Sequence, residues 1–173
     1  MSRSLWCIKF EGSVSFFRFF QVIDDYNIEI IETTPLGIHT VAVFFAPTDF
    51  SDNIRRLLNS ATEYLEIKNP HDDLISGYLN VKNSEIKNSV YVYETDFLGA
   101  ALQVTNEALV MGLELIEIRH PRVENGKTLV LLNGQIEIIH QFIEQTKSRI
   151  NLNNDNFVLI EKPSQCIKSF YNF

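Results

Sequence analysis

The sequence predicts an α+β protein built as a tandem duplication of a ferredoxin-like βαββαβ unit, with helices packed on mixed or antiparallel sheets. Three observations predict it. Ile28-Glu29-Ile30-Ile31-Glu32 recurs about 85 residues later as Leu113-Glu114-Leu115-Ile116-Glu117. The residue before each match is Asn27 or Gly112, the types that best tolerate a left-handed backbone and so close a preceding helix. After each match comes an apolar stretch in the same order, Thr40–Phe44 in the first copy and Thr128–Leu132 in the second. The connection before it is about three residues longer in the second copy. Three matches in the same order point to a duplication of the whole unit.

Each element then takes its place in order. Leu5–Phe10 reads as a strand. A helix with Phe16, Phe20 and Ile23 inward comes next. Strands Ile28–Thr34 and Thr40–Phe45 come after it. Ile54, Leu57, Leu58, Ala61 and Leu65 fall at helical spacing, and Gly77–Lys82 reads as a weaker closing strand. The polar segment Asn83–Asn88 is the linker.

In the second copy Ser89–Tyr93 reads as a strand rich in Val and Tyr. Asp96 is a candidate cap for a helix marked by Leu98, Ala101, Leu102, Thr105, Ala108 and Leu109. Leu113–Arg119 alternates as a strand. Thr128–Leu132 is apolar throughout, as a strand buried on both faces would be. Asn133-Gly134 reads as a turn into a helix with Ile136, Ile139, Ile143 and Ile150. Phe157–Ile160 is the last strand, ended by Pro163. The lobes are expected at 1–83 and 84–163, with an aromatic tail at 164–173.

Composition bounds the function. The chain has 173 residues, of which 45% are hydrophobic and 12% aromatic, enough to form a core and too many for a disordered chain. It carries 15 Lys+Arg against 22 Asp+Glu, a net charge of −7, and its pI is near 5.1. With no cationic cluster, it offers no footprint for nucleic acid. Cys7 and Cys166 read as free thiols in a reducing compartment. The longest apolar run, near Val41–Ala46, is far short of the ~20 residues of a spanning helix. Lys9 and Glu11 interrupt any signal-peptide core, and no prenylation cysteine stands at the C-terminus. A cytoplasmic protein without membrane insertion is expected.

Several stretches of the second copy resemble a known family. Tyr93-Glu94-Thr95 ahead of a helix is one, and Ala108-Leu109-Val110 leading into Leu113–Ile118 is another. Thr128–Leu132 with Asn133-Gly134-Gln135, then Phe157–Ile160 with Lys162-Pro163, complete the series. In order and spacing, over about 75 residues, they resemble the bacterial microcompartment shell domain. The first copy shares the resemblance through the repeat.

The resemblance implies a non-enzymatic, tandem-domain structural subunit whose trimers form pseudohexagonal tiles. It implies a central pore lined by the loop between the second and third strands. In this sequence those loops are Pro35, Leu36, Gly37 and Ile38, and Arg122, Val123, Glu124, Asn125 and Gly126. Shell tiles carry an edge Lys near the end of the first helix, where this chain has Asp24 and Leu109. They carry an Arg after the last strand, where this chain reads Lys162-Pro163-Ser164-Gln165. These departures favour a co-opted adaptor that binds other proteins, for example in a secretion-coupling complex. A small-molecule sensor is the third alternative, since duplicated units of this kind also bind ligands.

No catalytic, cofactor or metal constellation is evident. His39, His71, His120 and His140 have no zinc-ligand spacing, and there is no Gly-rich phosphate loop or nucleophile motif. His39 and His120 fall in corresponding loops. Glu29, Glu32, Glu114 and Glu117 repeat with their strands and read as an exposed strand face or rim. The segment Phe16-Phe17-Arg18-Phe19-Phe20 is apolar nearly all round, which points to burial on more than one side. Phe16, Phe17, Phe19 and Phe20 are therefore candidate protein-interface residues. Phe170, Tyr171 and Phe173 of the tail join them, because aromatics at a terminus are costly to leave in water.

Overall fold

The computed structural model describes residues 2–23, 26–79, 85–124, 126–147 and 156–171, without the side chains at 122–124, 156, 170 and 171. The chain divides into two compact units, 1–70 and 71–173.

The first unit holds β1 (Arg3–Glu11), α1 (Gly12–Ile23), β2 (Glu29–Leu36), β3 (His39–Pro47), α2 (Ser51–Arg56) and β4 (Ala61–Lys68). Its sheet runs β2-β3-β1-β4, antiparallel throughout, which is the ferredoxin-like order. Successive residues of a strand face opposite ways, so Trp6, Ile8 and Phe10 share one face with Ala42 and Phe44. Phe19 and Ile23 of α1 and Ile54 of α2 close over that face. Trp6 and Phe44 stack at 6.5 Å, and Phe10 meets Phe19 at 5.1 Å.

The second unit holds α3 (Asp72–Tyr78), β5 (Ser89–Thr95), α4 (Leu98–Val110), β6 (Glu114–Glu124), β7 (Lys127–Gly134), α5 (Ile136–Thr146), β8 (Asn156–Ile160) and α6 (Gln165–Tyr171). Its sheet runs β6-β7-β5-β8, the same order. Tyr91 of the helix-bearing face meets Phe142 of α5 edge-on at 5.6 Å. On the opposite face Val90, Leu131 and Ile116 pack with Ile86, and Ile167 of α6 lies against them. The apolar run in β7 is thus covered on both faces, as its composition predicts.

The duplication extends to backbone detail. Asn27 has φ 52° and Gly112 φ 87°, both in the left-handed region expected of them, and Gly112 closes α4. Both β2 and β6 carry a bulge at the same repeat position, Ile31 and Ile116. Ser4 and Ser89 occupy equivalent buried sites in β1 and β5.

Several local expectations are corrected. The helix expected to run from Ile54 to Leu65 stops at Arg56. One 3-10 turn, Leu58–Ser60, comes next, and Ala61 opens β4. Alternation there puts Leu65 and Ile67 on one face, and Thr62 and Tyr64 favour strand. The strand expected at Gly77–Lys82 is instead α3 up to Tyr78, while 80–84 lie outside the described residues. His71 caps α3, its Nδ1 accepting from the Asp73 amide at 3.2 Å, and Asp72 and Asp73 supply the acidic first turn. Helix α4 is capped at Phe97 and not at Asp96; the Phe97 amide donates to Thr95 Oγ1. In α1 the inward set is led by Phe19 and Ile23, with Phe16 and Phe20 partly buried beside them.

Asn133 and Gly134 belong to β7 and form no turn. A Cβ at Gly134 would stand 2.2 Å from Leu113 Cδ2, so this position is fixed by close approach. Asn133 Oδ1 accepts from the amides of Lys87 and Asn88, anchoring the end of the linker. Ile86, expected in that polar linker, is buried.

The tail folds as α6. Paired ladder positions align β4 with β8, and the segments beyond these strands align too: Pro70 with Pro163, Leu74 with Ile167, Ser76 with Ser169 and Tyr78 with Tyr171. Helix α3, although part of the second compact unit, is therefore the first copy's closing helix, and α6 is the second copy's.

Candidate functional site

Equivalent surfaces of the two copies are covered unequally, and that contrast defines the candidate site. In the second unit α3 packs on α4 and β6. The His71 amide donates to Asn106 Oδ1 at 2.7 Å, tying the start of α3 to α4. Gly77 lies so close to β6 that an added Cβ would stand 2.3 Å from Leu115 Cδ2. Leu109, Leu113 and Leu115, which line the same cleft as Gly77, are buried, Leu115 being only 6% exposed, and Leu102 of α4 is fully buried.

The repeat carries these positions onto the first copy. Leu102 corresponds to Phe17, which is 68% exposed. Leu115 corresponds to Ile30, 50% exposed, and the buried Gly99 corresponds to Val14, 64% exposed. Asn106, the residue that anchors α3, corresponds to the exposed Gln21. Val22 adds another exposed apolar side chain on α1. Ile30 pairs across the ladder with Phe44, so it lies on the helix-bearing face beside α1. The first copy thus presents an open apolar edge between α1 and β2.

The aromatic candidates separate on this geometry. Phe19 is in the core. Phe16 and Phe20 rest against the core, Phe20 meeting Phe44 at 5.4 Å. Phe17 points outward, its ring 5.0 Å from Phe16. Val14, Val22 and Ile30 were not signalled by the aromatic run; for Val14 and Val22 the available signal was their i, i+8 spacing on one side of the helix. In the tail, α6 includes Phe170 and Tyr171, and Phe173 lies outside the described residues.

The predicted loops are the tips of equivalent hairpins. Pro35 and Leu36 end β2, Gly37 and Ile38 make a two-residue turn with Gly37 at φ 61°, and Ile38 is 77% exposed. In the second copy Arg122, Val123 and Glu124 belong to β6, Asn125 lies outside the described residues, and Gly126 donates to the Pro121 carbonyl at 2.7 Å. The extra length is taken up in the hairpin, where the register shifts between Arg119 and Glu124. His39 opens β3, whereas His120 lies in β6, near Tyr78 at 6.3 Å between rings. The two histidines therefore stand on opposite arms of equivalent hairpins.

The charged groups make structural contacts. Glu66, with a nearly buried side chain, accepts from Ser4 Oγ at 2.8 Å and Ser51 Oγ at 2.5 Å and pairs with Arg55. Glu29 pairs with Arg3 at 2.8 Å and Glu117 with Arg119 at 3.1 Å. The hydrogen bond from Lys127 to Glu94 raises the lysine's pKa. Burial pushes the Cys7 thiol well above its ordinary range, so it is unreactive; Cys166 is exposed. Among the described residues no group of three or more His, Cys, Asp or Glu could hold a metal ion. A cleft of ≈ 330 Å³ remains beside α3, lined in part by His71, Asp73, Gly77 and Glu114. Leu109, at the position of a shell tile's edge Lys, is buried, and Asp24 lies outside the described residues. Among the described residues no helix is long and apolar enough to cross a membrane.

No family model and no curated protein matches the chain. Among solved structures, a microcompartment protein from Desulfitobacterium hafniense superposes with a TM-score of 0.79, at 13% identity, covering 98% of this chain and 99% of that one. A putative glycine cleavage system transcriptional repressor gives a TM-score of 0.34 at 11% identity, covering 93% and 98%. EtuB from Clostridium kluyveri gives 0.32 at 14%, covering 92% and 83%. Over nearly its whole length, the chain has the tandem α+β fold seen in a microcompartment protein.

Proposed function

We infer that the chain is a non-enzymatic structural subunit that assembles with further copies of itself, as a trimer of tandem lobes. The lobes are 1–83 and 84–163, with 164–173 as an accessory segment. The observation that carries this reading is the unequal cover of one repeated face: closed by α3 in the second copy, open between α1 and β2 in the first. Each large apolar side chain moved from water into an interface contributes about 1.5–3 kcal/mol. Phe17, Ile30, Val14 and Val22 together therefore supply a driving force for association. An interface joining unlike faces of the same chain is heterologous, and such interfaces form rings when the rotation closes. The fold likeness to a microcompartment protein supports the same reading. In the ring, the hairpins at Pro35–Ile38 and 122–126 are the segments that face the central opening.

Light scattering on a sizing column tests this over a range of concentrations. The expected mass is about three times the 20.0 kDa of one chain. A single-chain mass at every concentration overturns self-assembly and leaves the α1 face to a different protein, as an adaptor would use it.

A further inference from the structure

We propose that the open edge between α1 and β2 is the docking site for α6 of a second copy of this chain, seated as α3 is seated on α4 and β6. The inference rests on the self-assembly reading and adds to it which two elements meet.

The occupant is identified by the repeat. The helix covering α4 and β6 is the closing helix of the first copy. Its counterpart, at the same distance past the last strand and after the matching proline, is α6. Helix α6 rests on its own sheet through Ile167, whereas Gln165, Cys166 and Ser169 are exposed. It is thus held in place with a free outer side. The receiving face is the counterpart of the one α3 occupies: Phe17 for Leu102, Ile30 for Leu115, Gln21 for Asn106. One difference is built in. Phe170 stands in α6 where Gly77, which permits the close approach to Leu115, stands in α3.

The equivalence predicts which residues come together. Asp73 and Glu114 line the same cleft beside α3. Their counterparts are Cys166 in α6 and Glu29 in β2. The test is the full-length Glu29→Cys variant treated with a short bis-maleimide, alongside Glu29→Cys/Cys166→Ser. Cys7 is buried and does not compete. Covalent species of two and more chains are expected from the first protein and not from the second. Mass by light scattering, taken on the same untreated samples, separates the outcomes. An assembled protein with no Cys166-dependent cross-link overturns the α6 docking and leaves self-assembly standing. A single-chain mass overturns both. Linkage confined to one chain also overturns the docking.

Discussion

Phe17 and Leu102 occupy the same position in two copies of one fold, yet one ring is largely in water and the other side chain is fully buried. In the second copy a closing helix, α3, packs on α4 and β6. At the equivalent positions of α1 and β2, Phe17 and Ile30 are exposed. A duplicated fold whose closing helix serves the next copy leaves its first copy uncovered.

The largest effect is expected at Leu102. Leu102→Ala should cost about 2–5 kcal/mol of unfolding free energy, the usual range for a fully buried leucine. Phe17→Ala, at the equivalent position, should change it by less than about 0.5 kcal/mol when dilute chains are unfolded in urea. Similar costs at the two positions would show that α1 is covered within the single chain.

A smaller contrast sharpens it. Thr40 and Thr128 are repeat equivalents, both buried. Thr40 Oγ1 meets Ser13 Oγ at 3.3 Å, whereas Thr128 Oγ1 has no hydrogen-bond partner among the described residues. Thr40→Val should therefore destabilise by about 1 kcal/mol, and Thr128→Val should be neutral or stabilising by a similar amount. Thermal melts of both variants check the opposite signs.

Much of the architecture was legible because it is written in short-range chemistry. Asn27 and Gly112 announce a left-handed backbone whatever surrounds them. The strands Thr40–Phe44 and Thr128–Leu132 are too apolar to be anything but interior. The errors fall where tertiary packing decides. Ala61 and Leu65 continue the helical spacing of Ile54 and Leu58; pairing with β1 selects the strand. Helices α3 and α6 are seven residues long, too short to be stable alone, so packing and not propensity fixes them. The aromatic segment signalled burial on more than one side. Its phase, which makes Phe19 core and Phe17 surface, depends on how α1 settles on Phe10 and Phe44.

The most direct measurement of the central claim is the solution mass of Phe17→Asp beside the parent protein, with circular dichroism on both. The parent chain is expected to assemble, whereas Phe17→Asp keeps its secondary structure and elutes at 20.0 kDa, because a carboxylate cannot be buried unpaired under α6. Folded Phe17→Asp protein with the parent's assembled mass would contradict it.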